Sequence, residues 1–350
     1  MTGPPAPAAP AQAGASGRGR IVCVAENRAW CEPGVRLLIA SLARHSPDLA
    51  VHLFFPSPSP ALLAFLRGYP LVAVNQHPLH GAWHSYDIKP TAVRTLLTAG
   101  YDDVLWIDSD IIVTRDIRPL FAGLPPELIV ATEEALCSNH GDGDALRTRL
   151  WGMPVGRKLG CTVNTGVIRL TTDHLPLVAE WARLLGSGLY REAQKKPWNQ
   201  RPAHLLGDQE VFTALLGSTG FTRFPVRLLR RGADIVQFFG STGYTVRERL
   251  RHLHRPPAFI HAQGAKPWAG AAILGSSATA RFLRAYADLS PYVAAARAYR
   301  GVLADDAWTM PRTSAARLFT VLAGGRGPLV GLPHALIADS LFAAKRLVRR

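Results

Sequence analysis

Cysteine is scarce: the 350 residues contain four, Cys23, Cys31, Cys137 and Cys161, with no Cys-x-x-Cys pair and no histidine cluster beside them. That spacing excludes a zinc knuckle or a dense disulfide framework, and the thiols read as reduced and intracellular. Long apolar runs are lacking too. No stretch of about 18 residues, the length a bilayer-spanning helix needs, is free of charge, Pro and Gly. The opening stretch, residues 1–19, is built of Pro, Ala and Gly without a leucine-rich core, so it is expected to be a disordered tail rather than a signal peptide or anchor. Acids are outnumbered, 25 Asp and Glu against 40 Lys and Arg, for a net charge of +15. Such a balance favours anionic partners. Nucleic acid is set aside, because no zinc site, helix-turn-helix pattern or aromatic RNA-binding strand accompanies the charge.

What is present is a globular chain, 48% hydrophobic and 19% charged, able to bury a large core. "RIVCVAE" reads as a strand, and "PGVRLLIASLARH" as a helix with Pro33 in its first turn. The alternation repeats: "AVHLFF" precedes the helix "SPSPALLAFLRG", and "LVAVN" precedes "KPTAVRTLLTAG" and then the strand "DVLWI". Further on, "ELIVATE" and "CTVNTGVIRLT" read as strands, 137–160 as a long loop of the lid or binding kind, and "HLPLVAEWARLLG" as a helix. From about Ser276 only helical patterns remain. The expected fold is α/β, a mostly parallel sheet flanked by helices over residues 20–275, with a helical C-terminal appendage over 276–350. Sheets of this type bind ligands at the carboxyl ends of their strands.

At one such end stand Asp108 and Asp110. In an extended segment residues i and i+2 point the same way, so both carboxylates can face one space about 6 to 7 Å across. Hard oxygens favour Mg²⁺ or Mn²⁺, ions that keep positions open for phosphate, so a metal diphosphate suits the site. The bland alternative is a solvated Asp-Ser-Asp turn. Downstream, "NTGVIRL" sets Asn164 and a glycine at a strand start, and "IHAQGAKPW" gathers His261, Gly264 and Lys266. A neutral imidazole can complete a metal shell, and an ammonium can neutralise a departing phosphate.

These segments together resemble the GT-A nucleotide-sugar glycosyltransferases, especially glycosyltransferase family 8, the group of glycogenin and the bacterial lipopolysaccharide galactosyltransferases. The resemblance rests on "WIDSDIIVTRDI", "NTGVIRL", "GDQEVF" and "HAQGAKPW" and covers roughly residues 20 to 270. It implies a GT-A, Rossmann-like fold and a metal-dependent hexosyltransferase that uses a nucleotide-sugar donor, with UDP-sugar expected. It also implies that Asp108, Asp110 and His261 hold Mn²⁺ (or Mg²⁺). Ala25, Glu26 and Asn27, with Ser109 and Gly264, would lie along the nucleotide. Lys266 would meet the diphosphate, Lys89 would be the basic residue before the Asp-x-Asp strand, and Asn164, Asp208 and Gln209 would face the donor sugar and reacting centre. Family 8 members retain anomeric configuration, which makes Asp208 the better nucleophile candidate beside Gln209. Three departures accompany the match: one residue fewer between Gly264 and Lys266, Glu210 and Thr213 in the usual "DQDxxN", and Glu26 in place of Asp.

Two other functions compete with this one: a GT-A module that binds nucleotide sugar or glycan without turnover, and a phosphatase of the haloacid dehalogenase class. In the latter a small residue and then Thr or Val follow the second Asp near the chain start; here Ile111 and Ile112 follow, after three α/β units. The acceptor could be a glycan, a lipid-linked sugar or a small molecule. Residues 311–350 hold seven Lys and Arg against one acid, and Ile337, Leu341, Ala344 and Val348 form an apolar stripe in the last helix. That helix either lies on an anionic membrane or docks on the core with its cationic end complementing the helix dipole. The expected location is cytoplasmic, with peripheral contact at the inner membrane face. Richness in Ala, Arg and Pro points to a bacterial source.

Overall fold

The computed structural model describes residues 18–79, 86–134, 143–238, 244–264, 266–269, 289–311, 314–323 and 327–348. The expected tail therefore lies, but for Arg18 and Gly19, outside the described residues. A seven-stranded sheet carries the fold in the order β3-β2-β1-β4-β7-β6-β8. Its strands are β1 (Arg20–Ala25), β2 (Val51–Phe54), β3 (Val72–Asn75), β4 (Asp103–Ile107), β6 (Ile129–Glu133), β7 (Val163–Thr171) and β8 (Val226–Leu229). Only β7 runs against its neighbours. The central strands are buried on both faces, which explains their near-continuous apolar sequence.

Helices α1 (Glu32–His45) and α2 (Pro60–Leu66) cover one face, and α3 (Ile88–Thr98), α6 (Leu175–Leu185) and α8 (Asp208–Gly217) cover the other. Local chemistry places their ends. Pro33 sits in the first turn of α1, with Glu32 at its positive end and Arg44 and His45 at its negative end. The Ser59 hydroxyl accepts the Leu62 amide at 3.0 Å to cap α2 and donates to the Glu32 carboxylate at 2.7 Å, fastening the two helix starts together. Deep in the sheet Asp103 takes both Arg20 (2.7 Å) and Arg169 (2.9 Å), so its buried charge is paired.

Two features depart from the sequence reading. The segment read as a loop over 137–160 contains α5 (Gly143–Leu150), while 135–142 lie outside the described residues. This helix docks on α8 through small residues, Ala145 and Thr148, whose hydroxyl donates to the Ala214 carbonyl at 3.0 Å, so it shows no apolar periodicity. A second sheet of three very short strands, β5 (Ile111–Val113), β10 (Phe259–His261) and β9 (Ile235–Gln237), stands beside the first, and three residues are too few to show alternation. After residue 289 the described chain is helical: α10 (Pro291–Ala296), α11 (Ser314–Leu322) and α12 (Leu332–Val348). Tyr292, Val293 and Ala296 of α10 pack with Leu37, Ile112 and Ile260, which joins this part of the C-terminal region to the second sheet. The remaining helices α4 (Arg118–Phe121), α7 (Gly188–Gln194) and α9 (Val246–His252) are short. Among the described residues no helix is long and apolar enough to cross a membrane.

Candidate active site

The chain leaves the large sheet at Ile107, turns through Asp108, Ser109 and Asp110, and enters the small sheet at Ile111. The Ile111 amide donates to the Asp108 carbonyl at 3.2 Å, so the two acids share a space because of a turn and not because of extended, period-two geometry. Antiparallel pairing of β10 with β5 sets His261 opposite Ile111. That register brings the imidazole, 151 positions along from Asp110, to Nε2 distances of 3.4 Å from Asp110 and 3.8 Å from Asp108. One ligand atom from each of Asp108, Asp110 and His261 falls within a 4.8 Å group that could hold a metal ion. Two hard carboxylates and one imidazole suit a divalent first-row ion.

Two lysines neutralise the acids from opposite sides. Lys89, from the first turn of α3, lies 2.9 Å from Asp108 and 3.3 Å from Asp208, and donates to the Thr165 hydroxyl at 3.0 Å. Burial would lower the Lys89 pKa, but Asp108 and Asp208 outweigh it and raise it above the ordinary range. Lys266 pairs with Asp110 and also donates to the Ala262 carbonyl at 2.9 Å. Burial pushes Asp110 up, and Lys266 and His261 overcome that to hold it far below the usual carboxylate range. The turn that returns Lys266 to the site runs through Gly264 at φ 85°, a conformation that a side chain would strain.

Asp208 opens α8 and is buried, accepting the Thr165 hydroxyl at 2.6 Å. Asn164 donates to Gln209 at 3.1 Å and to Glu134 at 2.9 Å, while its Oδ1 accepts the Gly166 amide at 2.8 Å. Its amide is thus committed to bracing α8 against β7. The sequence suggested that the glycine of "NTG" lets backbone approach a ligand; the approach is to His261. A Cβ on Gly166 would sit 2.8 Å from the His261 Cε1 and 2.9 Å from the Asn164 Oδ1.

At the other end, Ala25, Glu26 and Asn27 follow β1. The Glu26 Oε1 accepts the amides of Asn27 and Arg28 at 3.0 Å and the Arg28 Nε at 2.8 Å, and its Oε2 accepts the Ser109 hydroxyl at 2.7 Å. Glu26 thereby ties the β1 loop to the Asp-Ser-Asp turn. All thirteen of the expected site residues line one cavity of about 440 Å³.

The same cavity is walled by residues the sequence did not single out: Arg28, Trp30, Tyr86, Trp198 and Gln263. Arg28 lies over the Trp30 ring at 5.3 Å, and Trp30 and Trp198 remain 51% and 57% exposed although they belong to the wall. Glu134, which holds Asn164 and Gln263, follows β6 at its carboxyl end, and that position was the one signal that could have found it. Glu210, noted only as a departure, is buried in the wall with its Oε2 unpaired. Burial lifts its pKa to about 7 against the opposing effect of Arg147.

No protein-family model matches the chain, and no curated protein matches it in sequence. Among solved structures it is similar to the WbbM bifunctional glycosyltransferase, at 19% identity and a TM-score of 0.47 over 71% of this chain and 47% of that one. The chain thus spans about half the length of that protein. It is also similar to the galactosyltransferase LgtC with donor and acceptor sugar analogues, at 16% identity and a TM-score of 0.44 over 81% of this chain and 99% of that one. A third is mouse xyloside xylosyltransferase 1, at 16% identity and a TM-score of 0.44 over 70% of this chain and 98% of that one. All three are glycosyltransferases. Fold likeness at this level does not fix chemistry, which resides in the side chains of the site.

Proposed function

We propose that the chain is a metal-dependent glycosyltransferase that moves a sugar, with retention, from a nucleotide diphosphate donor, UDP-linked, to a glycan, lipid-linked or small-molecule acceptor. The observation that carries this reading is the meeting of Asp108, Asp110 and His261 with two lysines in one cavity at the carboxyl ends of the central strands. Three donors suited to Mn²⁺ or Mg²⁺ and two ammonium groups form an arrangement suited to a diphosphate. A bound divalent cation would supply Lewis-acid stabilisation to the diphosphate oxygens.

The protein's own groups divide the rest of the work. Lys266, released from Asp110, meets the negative charge that grows on the departing phosphate. Asp208, beside the Lys89 ammonium and accepting the Thr165 hydroxyl, serves as nucleophile or as the anchor of the donor sugar. Asn164 holds Gln209 and so positions the start of α8. Glu26 and Arg28 shape the nucleotide end of the cavity, whose wall also includes Tyr86 and Trp198.

The test is nucleotide release from UDP-glucose, UDP-galactose, UDP-N-acetylglucosamine and GDP-mannose, with Mn²⁺ or with EDTA, for the wild type and Asp110→Asn. Release from one donor that needs metal and disappears in the variant supports the proposal and names the sugar. Metal-dependent donor binding without release with any acceptor returns the binding module. Absence of both, with release of phosphate from a phosphomonoester, returns the phosphatase.

A further inference from the structure

Among their described side chains, the last two helices turn large apolar residues to solvent. A surface helix of a globular protein buries its large apolar side chains and shows polar ones to water. Among the described side chains of α11, Ala316 is fully covered, whereas Leu318, Val321 and Leu322, one face at i, i+3 and i+4, are 57%, 74% and 71% exposed. In α12 Ala335 is buried, and Leu336, Ile337 and Leu341 are 52%, 62% and 61% exposed. The apolar stripe read from the sequence therefore points outward through Ile337 and Leu341. A different face, that of Asp339, makes the contact with the rest of the chain.

That docking is specific. Asp339, the one acid of residues 311–350, accepts the Val246 amide at 2.9 Å at the start of α9. The buried Arg249 side chain donates to the Val330 carbonyl in the connection between α11 and α12. With its acid spent inward, this stretch carries seven Lys and Arg. We propose that α11 and α12 form a docking surface for an anionic lipid bilayer, their six exposed apolar side chains entering the interface and the net positive charge of the stretch favouring anionic headgroups. A second copy of the chain is the poorer occupant, since it would set two such cationic stretches against each other. The proposal does not depend on the chemistry of the cavity.

The test is flotation of the full chain with vesicles of phosphatidylcholine alone and of phosphatidylcholine mixed with phosphatidylglycerol, at low and high salt. The expected result is recovery with the anionic vesicles, weakened by salt. Val321→Asp combined with Ile337→Asp should lower it by about tenfold or more without changing the melting temperature. Leu336→Ser with Leu341→Ser is the milder second variant, to be used if the first alters the melt. No recovery of the wild type with either vesicle overturns the proposal. So does equal, salt-insensitive recovery with both. A dimer in solution that the double substitution converts to monomer, without vesicle binding, assigns the face to a second copy and overturns it as well.

Discussion

Replacing Glu210 by Gln should make the protein more stable at neutral pH and remove a pH dependence that the wild type carries. The carboxyl is 4% exposed, its Oε2 has no partner, and burial raises its pKa from 4.5 to about 7. A carboxyl whose folded-state pKa is raised binds more protons folded than unfolded between those two values. Stability therefore falls as pH rises from 4.5 to about 7 and stays reduced above. At about 1.4 kcal/mol per pH unit the interval amounts to about 3 kcal/mol, borne by the charged form at and above neutrality. Glutamine keeps the shape and accepts the 3.2 Å hydrogen bond from Gln209, but has no charge to desolvate. Urea unfolding of wild type and Glu210→Gln across this range should give equal midpoints at the acid end and a gap of about 3 kcal/mol in the variant's favour at the alkaline end. Parallel curves, or a variant destabilised at every pH, would refute the reasoning and show that Glu210 is paired as an anion.

Asp87, buried and lifted to about 6 by burial, should add a smaller fall in stability over a lower window, so that Asp87→Asn flattens the profile from 3.8 to about 6 in the same titration. Gly166→Ala forces the His261 ring and the Asn164 amide apart, and is expected to cost about 1 to 3 kcal/mol of stability and to weaken Mn²⁺ binding in calorimetry; unchanged binding would remove His261 from the metal set. Asp208→Asn should reduce donor turnover by about a hundredfold or more while leaving metal-induced thermal stabilisation in place, and near-normal transfer would end its role as the main catalytic candidate. Arg169→Ala strands the buried Asp103 and two carbonyls, so chemical denaturation should report a loss of about 3 to 5 kcal/mol; a loss under about 1 kcal/mol would show that Arg20 alone suffices.

Local pattern carried much of the architecture. Parallel strands buried on both faces must be runs such as "IVCVA" and "DVLWI", and helices on a sheet must repeat apolar residues near every 3.6 positions, so those elements were legible. So was the position of Asp108 and Asp110 at a strand end, because the run simply stops there. The helix Gly143–Leu150 was not, since it docks through Ala145 and Thr148 rather than an apolar stripe.

What only tertiary structure decided is how distant residues meet. The register of β10 against β5 brings His261 to the acids, and three-residue strands carry no local signal of their pairing. The packing of α3 against β4 places Lys89 between Asp108, at the end of β4, and Asp208, at the start of α8, a contact that depends on three elements at once. The loop that binds Glu26 to Arg28 and Ser109 is likewise a product of β1 lying next to β4. The last helix makes the point most sharply. Its sequence determined an apolar stripe and a cationic end, but which face turns inward was fixed by the Asp339 bond to Val246, a choice made by a partner 93 residues away.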